Sequence, residues 1–287
     1  MRNAHSGAMR TLLVCSEPDI PSVNMKAALL RKGEWEDGGS DGSTSYLLSE
    51  RYVMMTIPEL HIYAEGVDSL ARRTADFDSM VFLSRHKAAS KMPTLTVHPI
   101  GNYKTADFGG RDGTLCPASP HAMSATLRAM QDLNDTGTYT VSFEVTHHGP
   151  FTETPAFFIE IGSDESRWGD LRAAEILTDA LLSAEADPAN LTAIGVGGGH
   201  YAPRFSEITL SHRIDFGHMI PKYQIDGSDD DGIVRMVRQA SEMTGTKVAY
   251  IHRKSLKGPE ERRVRALMES EGMEIVSSKD LDPVTCR

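Results

Sequence analysis

Residues 191–204 read Leu-Thr-Ala-Ile-Gly-Val-Gly-Gly-Gly-His-Tyr-Ala-Pro-Arg. The first six form a short apolar run of the kind that makes a buried strand, and they pass directly into three glycines and His200. Outward from this stretch the same grammar repeats. Apolar runs at 11–15, 52–57, 61–63, 79–83, 94–97, 139–145, 156–161, 247–251 and 274–276 read as strands. Between them lie segments of helical spacing near 22–32, 123–133, 168–185 and 233–240. A further helix starts at Pro259, where proline suits the first turn and Glu260 and Glu261 suit the positive end of the dipole. Strands alternating with helices imply an α/β fold: a mostly parallel mixed sheet with helices on both faces. No linker divides the chain, so residues 9–287 are expected to form a single three-layer α/β/α domain. Residues 1–8 read as a tail or cloning remnant. The Gly- and Ser-rich stretch 33–45 reads as a surface loop, and 99–120 as a long loop of the kind that usually carries function.

The composition excludes several classes. With 287 residues, 40% apolar and 24% charged, the chain sits near the globular average, which rules out a disordered or collagenous protein. No run approaches the roughly 18 apolar residues of a membrane span, and no secretory signal is visible. The three cysteines are too few and too scattered for a disulfide framework, so a reducing, cytoplasmic setting is expected. A net charge of −10 argues against non-specific coating of nucleic acid, though not against one local basic patch.

Eleven histidines are the informative number, because most fall in short clusters after predicted strands. Four segments stand out: Ser84-Arg-His-Lys87, Thr96-Val-His-Pro-Ile-Gly-Asn102, Ser142-Phe-Glu-Val-Thr-His-His-Gly-Pro150 and the Gly197–His200 stretch. Ligands in open α/β sheets bind beyond the carboxyl ends of strands, so one rim is expected to gather all four. Adjacent His147 and His148 serve one site only if the chain turns there, and Gly149-Pro150 supplies a turn. Gly197, Gly198 and Gly199 lack the Lys and Ser/Thr of a phosphate loop, but their N–H groups suit an anion. In a fifth segment Asp215 lies between His212 and His218, either orienting a ligand or forming a surface salt bridge. No Ser or Cys is marked as a nucleophile, which favours activated water. His61 and His252 lie outside these segments and are expected to be dispensable.

Taken with Gly217-His-Met-Ile-Pro-Lys222, the motifs Leu83-Ser-Arg-His-Lys-Ala-Ala-Ser90, Thr96–Asn102, Val145-Thr-His-His-Gly-Pro150 and Gly197-Gly-Gly-His-Tyr-Ala-Pro-Arg-Phe205 resemble, in order and over nearly the whole chain, the archaeal and plant type of D-aminoacyl-tRNA deacylase. The resemblance implies a fold of the phosphorylase/peptidyl-tRNA hydrolase class. It also implies an editing hydrolase that cleaves the ester joining a D-amino acid to the 3′-terminal ribose of tRNA. One or two Zn(2+) ions per chain are implied, with ligands among His98, His147, His148, His200, His218 and Asp215. Zinc takes about three such ligands and a water whose pKa falls near 7. His147, His148, His200 and Glu144 are the expected catalytic residues. A metal-free route also works, with a neutral histidine as base and the glycine amides holding the oxyanion. Substrate contacts are expected from Arg85, His86, Lys87, Gly197, Gly198, Gly199 and Arg204, and from the basic cluster of Arg253, Lys254, Arg262 and Arg263. The partner is tRNA charged with a D-amino acid, acted on by a monomer or small homo-oligomer. A zinc aminopeptidase, a peptidyl-tRNA hydrolase and a tRNA-binding module with structural zinc stay open as alternatives.

Overall fold

The computed structural model describes residues 10–284; the expectation for residues 1–8 lies outside them. Fourteen strands are described, in chain order β1 (Thr11–Ser16), β2 (Glu36–Asp41), β3 (Thr44–Leu48), β4 (Tyr52–Ile57), β5 (Ser79–Arg85), β6 (Thr94–Pro99), β7 (Gly101–Asn102), β8 (Thr114–Leu115), β9 (Thr140–Phe143), β10 (Ala156–Gly162), β11 (Leu191–Val196), β12 (Ile214–Ile220), β13 (Val248–Ile251) and β14 (Glu274–Val276). Eight form a mixed sheet in the order β2-β3-β4-β1-β5-β10-β6-β9. The α/β class and the large mixed sheet are as the sequence reading expects.

Period-2 alternation builds the layers. Leu13, Met54 and Val81 face a core shared with the helices Ile20–Lys32, Pro120–Leu133 and Leu171–Ser183. Leu12, Val14, Val53 and Phe82 face the other way, under the short helix Val67–Ala71 and the loop after β6. A second, wholly parallel sheet runs β12-β11-β13-β14. It packs Ile194, Val196 and Ala249 against the helices Asp230–Thr244 and Gly258–Ser270, while Ala193, Phe216 and Tyr250 turn toward the first core. The sheets meet where residues 144–146 leave β9: Val145 N–H donates to His200 O and Thr146 N–H to Met219 O.

Three local expectations are corrected. The stretch 33–45 carries β2 and the start of β3, a hairpin whose outer strand is almost wholly exposed. Residues His61–Tyr63 are a 3₁₀ turn, not a strand. The segment around Asp215 is not a surface loop but the fully buried β12. Among the described residues no helix is long and apolar enough to cross a membrane.

Candidate active site

Two carboxylates and five imidazoles converge over the middle of β10. Phe158 and Glu160 lie two residues apart and so share one face of the strand. His98 stands opposite Phe158 in the antiparallel β10–β6 pair and stacks on its ring at 5.1 Å. His86, directly after β5, places Nδ1 at 3.2 Å from Glu144 and 3.3 Å from Glu160, and its Nε2 meets the Tyr201 hydroxyl at 3.1 Å. Because β6 and β9 run antiparallel to β5 and β10, these histidines arrive from opposite ends of the sheet. The expected single rim of strand ends is therefore replaced by a centre that lies across the strands.

His147 and His148 reach one site through the backbone of His148 itself. Its φ of 42° is left-handed, a conformation uncommon outside glycine and concentrated at functional sites. The turn brings both rings to His98, at centroid distances of 4.1 and 4.9 Å. Gly149 then permits a close crossing, since a Cβ there would stand 2.1 Å from the Gly110 nitrogen. From the second sheet His200 places Nε2 3.0 Å from Glu144 and its ring 4.6 Å from that of His147.

The Nδ1 atoms of His98, His147 and His148 lie 3.1, 2.7 and 2.7 Å from the carbonyls of Pro99, Val145 and Gly149. A carbonyl only accepts, so in each neutral ring Nδ1 carries the proton and Nε2 keeps its lone pair. Outer hydrogen bonds of this kind orient metal-ligating imidazoles. His98 Nε2, both oxygens of Glu144 and Oε2 of Glu160 are buried without a hydrogen bond. Buried lone pairs facing one another are costly unless a proton or a metal cation stands between them. Among the described residues three sets bring three ligand atoms within 4.8 Å of one another: His98, Glu144 and Glu160, and two that are mainly imidazole, His98, His147 and His148, and His86, Glu144 and His200. The last two suit zinc, which takes about three N or O ligands and a water.

The electrostatics divide the imidazoles. Burial and then the neighbouring imidazoles hold His147 well below the usual histidine range, and burial takes His148 down to about 4. Burial also opposes charge on His86, but Glu144 and Glu160 outweigh it and raise this ring to about 9. His98 is raised in the same manner, chiefly by Glu160. Both carboxyls lie below their ordinary range despite burial, Glu144 mainly through His86 and Glu160 through His86 and His98.

Several expected site residues lie elsewhere. His218 is not placed as a ligand: its Nδ1 meets Thr146 Oγ1 at 3.1 Å and its Nε2 meets Cys116 O at 2.8 Å, so both nitrogens are engaged. Asp215 is turned away, held by His121 at 2.7 Å and Arg128 at 2.8 Å. The Gly197 N–H donates to Ile220 O and that of Gly198 to Ser255 Oγ, which removes two of the three amides expected to hold an oxyanion. Arg263 pairs with Asp230, and Arg85 pairs with Asp19 and stacks on Trp168. Lys87 pairs with Glu165 at the surface. A cleft of about 1100 Å³ opens beside the centre rather than over it, walled by Arg204, Tyr250, His252, Arg253, Lys254 and Arg265. His61 is not a neutral position, being buried against Phe82 and Phe158. Sequence reasoning missed Glu160 altogether and gave His86 to substrate binding. A lone acid in the otherwise apolar Ala156-Phe-Phe-Ile-Glu-Ile161 was the available signal, since a buried charge needs a partner.

A family model described as D-aminoacyl-tRNA deacylase matches residues 73–276, a stretch that contains all seven side chains of the centre. The chain belongs to the D-aminoacyl-tRNA deacylase family. A D-aminoacyl-tRNA deacylase of Methanosarcina acetivorans is 34% identical over 280 residues, 94% of this chain and 92% of that one. Another, of Methanococcoides burtonii, is 36% identical over 280 residues; the match takes in 95% of this chain but only 57% of that longer relative. The crystal structure of AF0625, a conserved protein of unknown function, superposes with a TM-score of 0.88 at 33% identity, covering 97% of this chain and 100% of that one. The two relatives named above are thus similar to this chain over nearly its whole length.

Proposed function

We propose that this protein hydrolyses the ester between a D-amino acid and the 3′-terminal ribose of tRNA, releasing both, and that the histidine–carboxylate centre performs the cleavage. The observation that carries this reading is the convergence of His86, His98, His147, His148 and His200 on buried Glu144 and Glu160. Zinc held by His98, His147 and His148 would supply a Lewis acid and a water of lowered pKa. Glu144, kept ionised mainly through His86, is placed to accept a proton from attacking water. His200 stands 3.0 Å away with its side chain 37% exposed, against 21% for His147, so it is placed to return that proton to the ribose oxygen as the ester breaks. His86 keeps Glu144 and Glu160 charged and is itself oriented by Tyr201. The cytoplasm is the setting we assign, in keeping with Cys15 and Cys116, which are both buried free thiols.

The test compares release of amino acid from D- and L-tyrosyl-tRNA by the wild type and Glu144→Gln. The reading expects rapid cleavage of the D-ester, sparing of the L-ester, and a loss of at least about 10²-fold in the variant. Equal rates on both esters, or an active variant, would overturn it.

A further inference from the structure

Three aromatic side chains are exposed among the described residues: Tyr63 at 55%, Phe108 at 63% and Tyr223 at 47%. All three belong to segments that border the histidine centre. Phe108 sits on the long loop after β6, and its carbonyl accepts from the N–H of Gly149, next to His148. The loop is built rather than slack: Asn102 donates to Gly109 O at 2.9 Å, Gly110 N–H donates to Glu65 at 3.0 Å, and Ala106 N–H donates to Asp112 at 2.7 Å. Tyr63 lies beside it, its ring 3.4 Å from where a Gly109 Cβ would be. Tyr223 comes from the other side, on the turn Lys222–Ile225, whose Lys222 N–H donates to Gly198 O. Lys104 ties the two segments together by donating to Gln224 O at 3.1 Å.

Large aromatics are normally withdrawn from water, and a group of them at one site marks a binding surface. An ester on the last ribose of a tRNA cannot reach these histidines without bringing the neighbouring unpaired bases to the same rim. Single-stranded bases stack on aromatic rings irrespective of sequence, which suits an enzyme that must accept many tRNAs. We propose that Phe108 and Tyr223 are the aromatic faces on which the unpaired bases at the 3′ end of the tRNA stack. This rests on the deacylase reading for its substrate, but its test does not require turnover.

The test is a binding cycle with uncharged tRNA, either complete or lacking all of its unpaired 3′ nucleotides, against wild type, Phe108→Ala, Tyr223→Ala and Phe108→Tyr. Phe108→Ala and Tyr223→Ala should each weaken binding of the complete tRNA by about 5- to 150-fold, the range for one lost base stack. Neither should change binding of the shortened tRNA, and Phe108→Tyr should keep wild-type affinity for both. Unchanged affinity for complete tRNA, or an equal loss on both tRNAs, would overturn the proposal. Failure of the deacylase reading would show separately, as wild-type protein that binds tRNA but leaves D-tyrosyl-tRNA intact.

Discussion

Replacing Glu144 with Gln removes one negative charge from the middle of the centre while keeping its shape. Ring nitrogens of His200, His86 and His147 stand 3.0, 3.2 and 3.5 Å from its carboxylate. In metal-free protein burial disfavours a charged His86, but Glu144 and Glu160 lift that ring from 6.5 to about 9. The lift corresponds to about 3 kcal/mol in favour of the protonated ring. A folded pKa above the unfolded one stabilises the fold fully below about pH 6.5, and that stabilisation is lost as the pH rises through about 9. Two carboxylates share the effect, so the variant should lose about half of it, on the order of 1–2 kcal/mol. His98, raised mainly through Glu160 and further by Glu144, adds an alkaline fall of its own that the variant should also soften. The assay is urea unfolding of chelator-stripped wild type and Glu144→Gln across this pH range. A shallower alkaline decline in the variant is expected. Parallel curves would refute the claim that Glu144 holds His86 protonated.

Three further outcomes follow from the geometry. His98→Ala and His147→Ala should each lower bound zinc, read by elemental analysis, together with a deacylation loss of at least about 10²-fold; unchanged zinc in both would remove them from the ligand set. Gly149→Ala should destabilise the fold by about 1–3 kcal/mol in thermal or urea unfolding, because its Cβ would stand 2.1 Å from the Gly110 nitrogen; a neutral effect would mean the crossing is slacker than it stands here. Arg262→Ala should flatten the salt dependence of tRNA binding by about 0.7 in log–log slope, whereas Arg263→Ala should change it less because Asp230 already lies 2.7 Å from its guanidinium; the reverse order would place the tRNA elsewhere.

Much of the framework was legible because buried parallel strands are written as apolar runs. Residues 11–15 and 191–196 became β1 and β11 at the expected places. What failed was illegible for physical reasons. β2, Glu-Asp-Gly-Gly-Ser-Asp, has no apolar face to betray a strand and forms only through its pairing with β3. Asp215 and His218 make β12 look like polar surface, yet both are buried because partners distant in sequence, Arg128 and Cys116, satisfy them. The histidine motifs pointed to the centre, and its four segments do converge. Their antiparallel approach, and the role of Glu160 beneath them, depend on strand order, which local spacing does not encode.

The most direct test of the central claim is single-turnover hydrolysis of D-tyrosyl-tRNA by one preparation in three states: as purified, chelator-stripped, and stripped then reloaded with zinc. The account predicts cleavage in the first state, loss by at least about 10²-fold in the second and recovery in the third. Full cleavage by protein shown by elemental analysis to be free of zinc would contradict it and leave the histidines and Glu144 to activate water unaided.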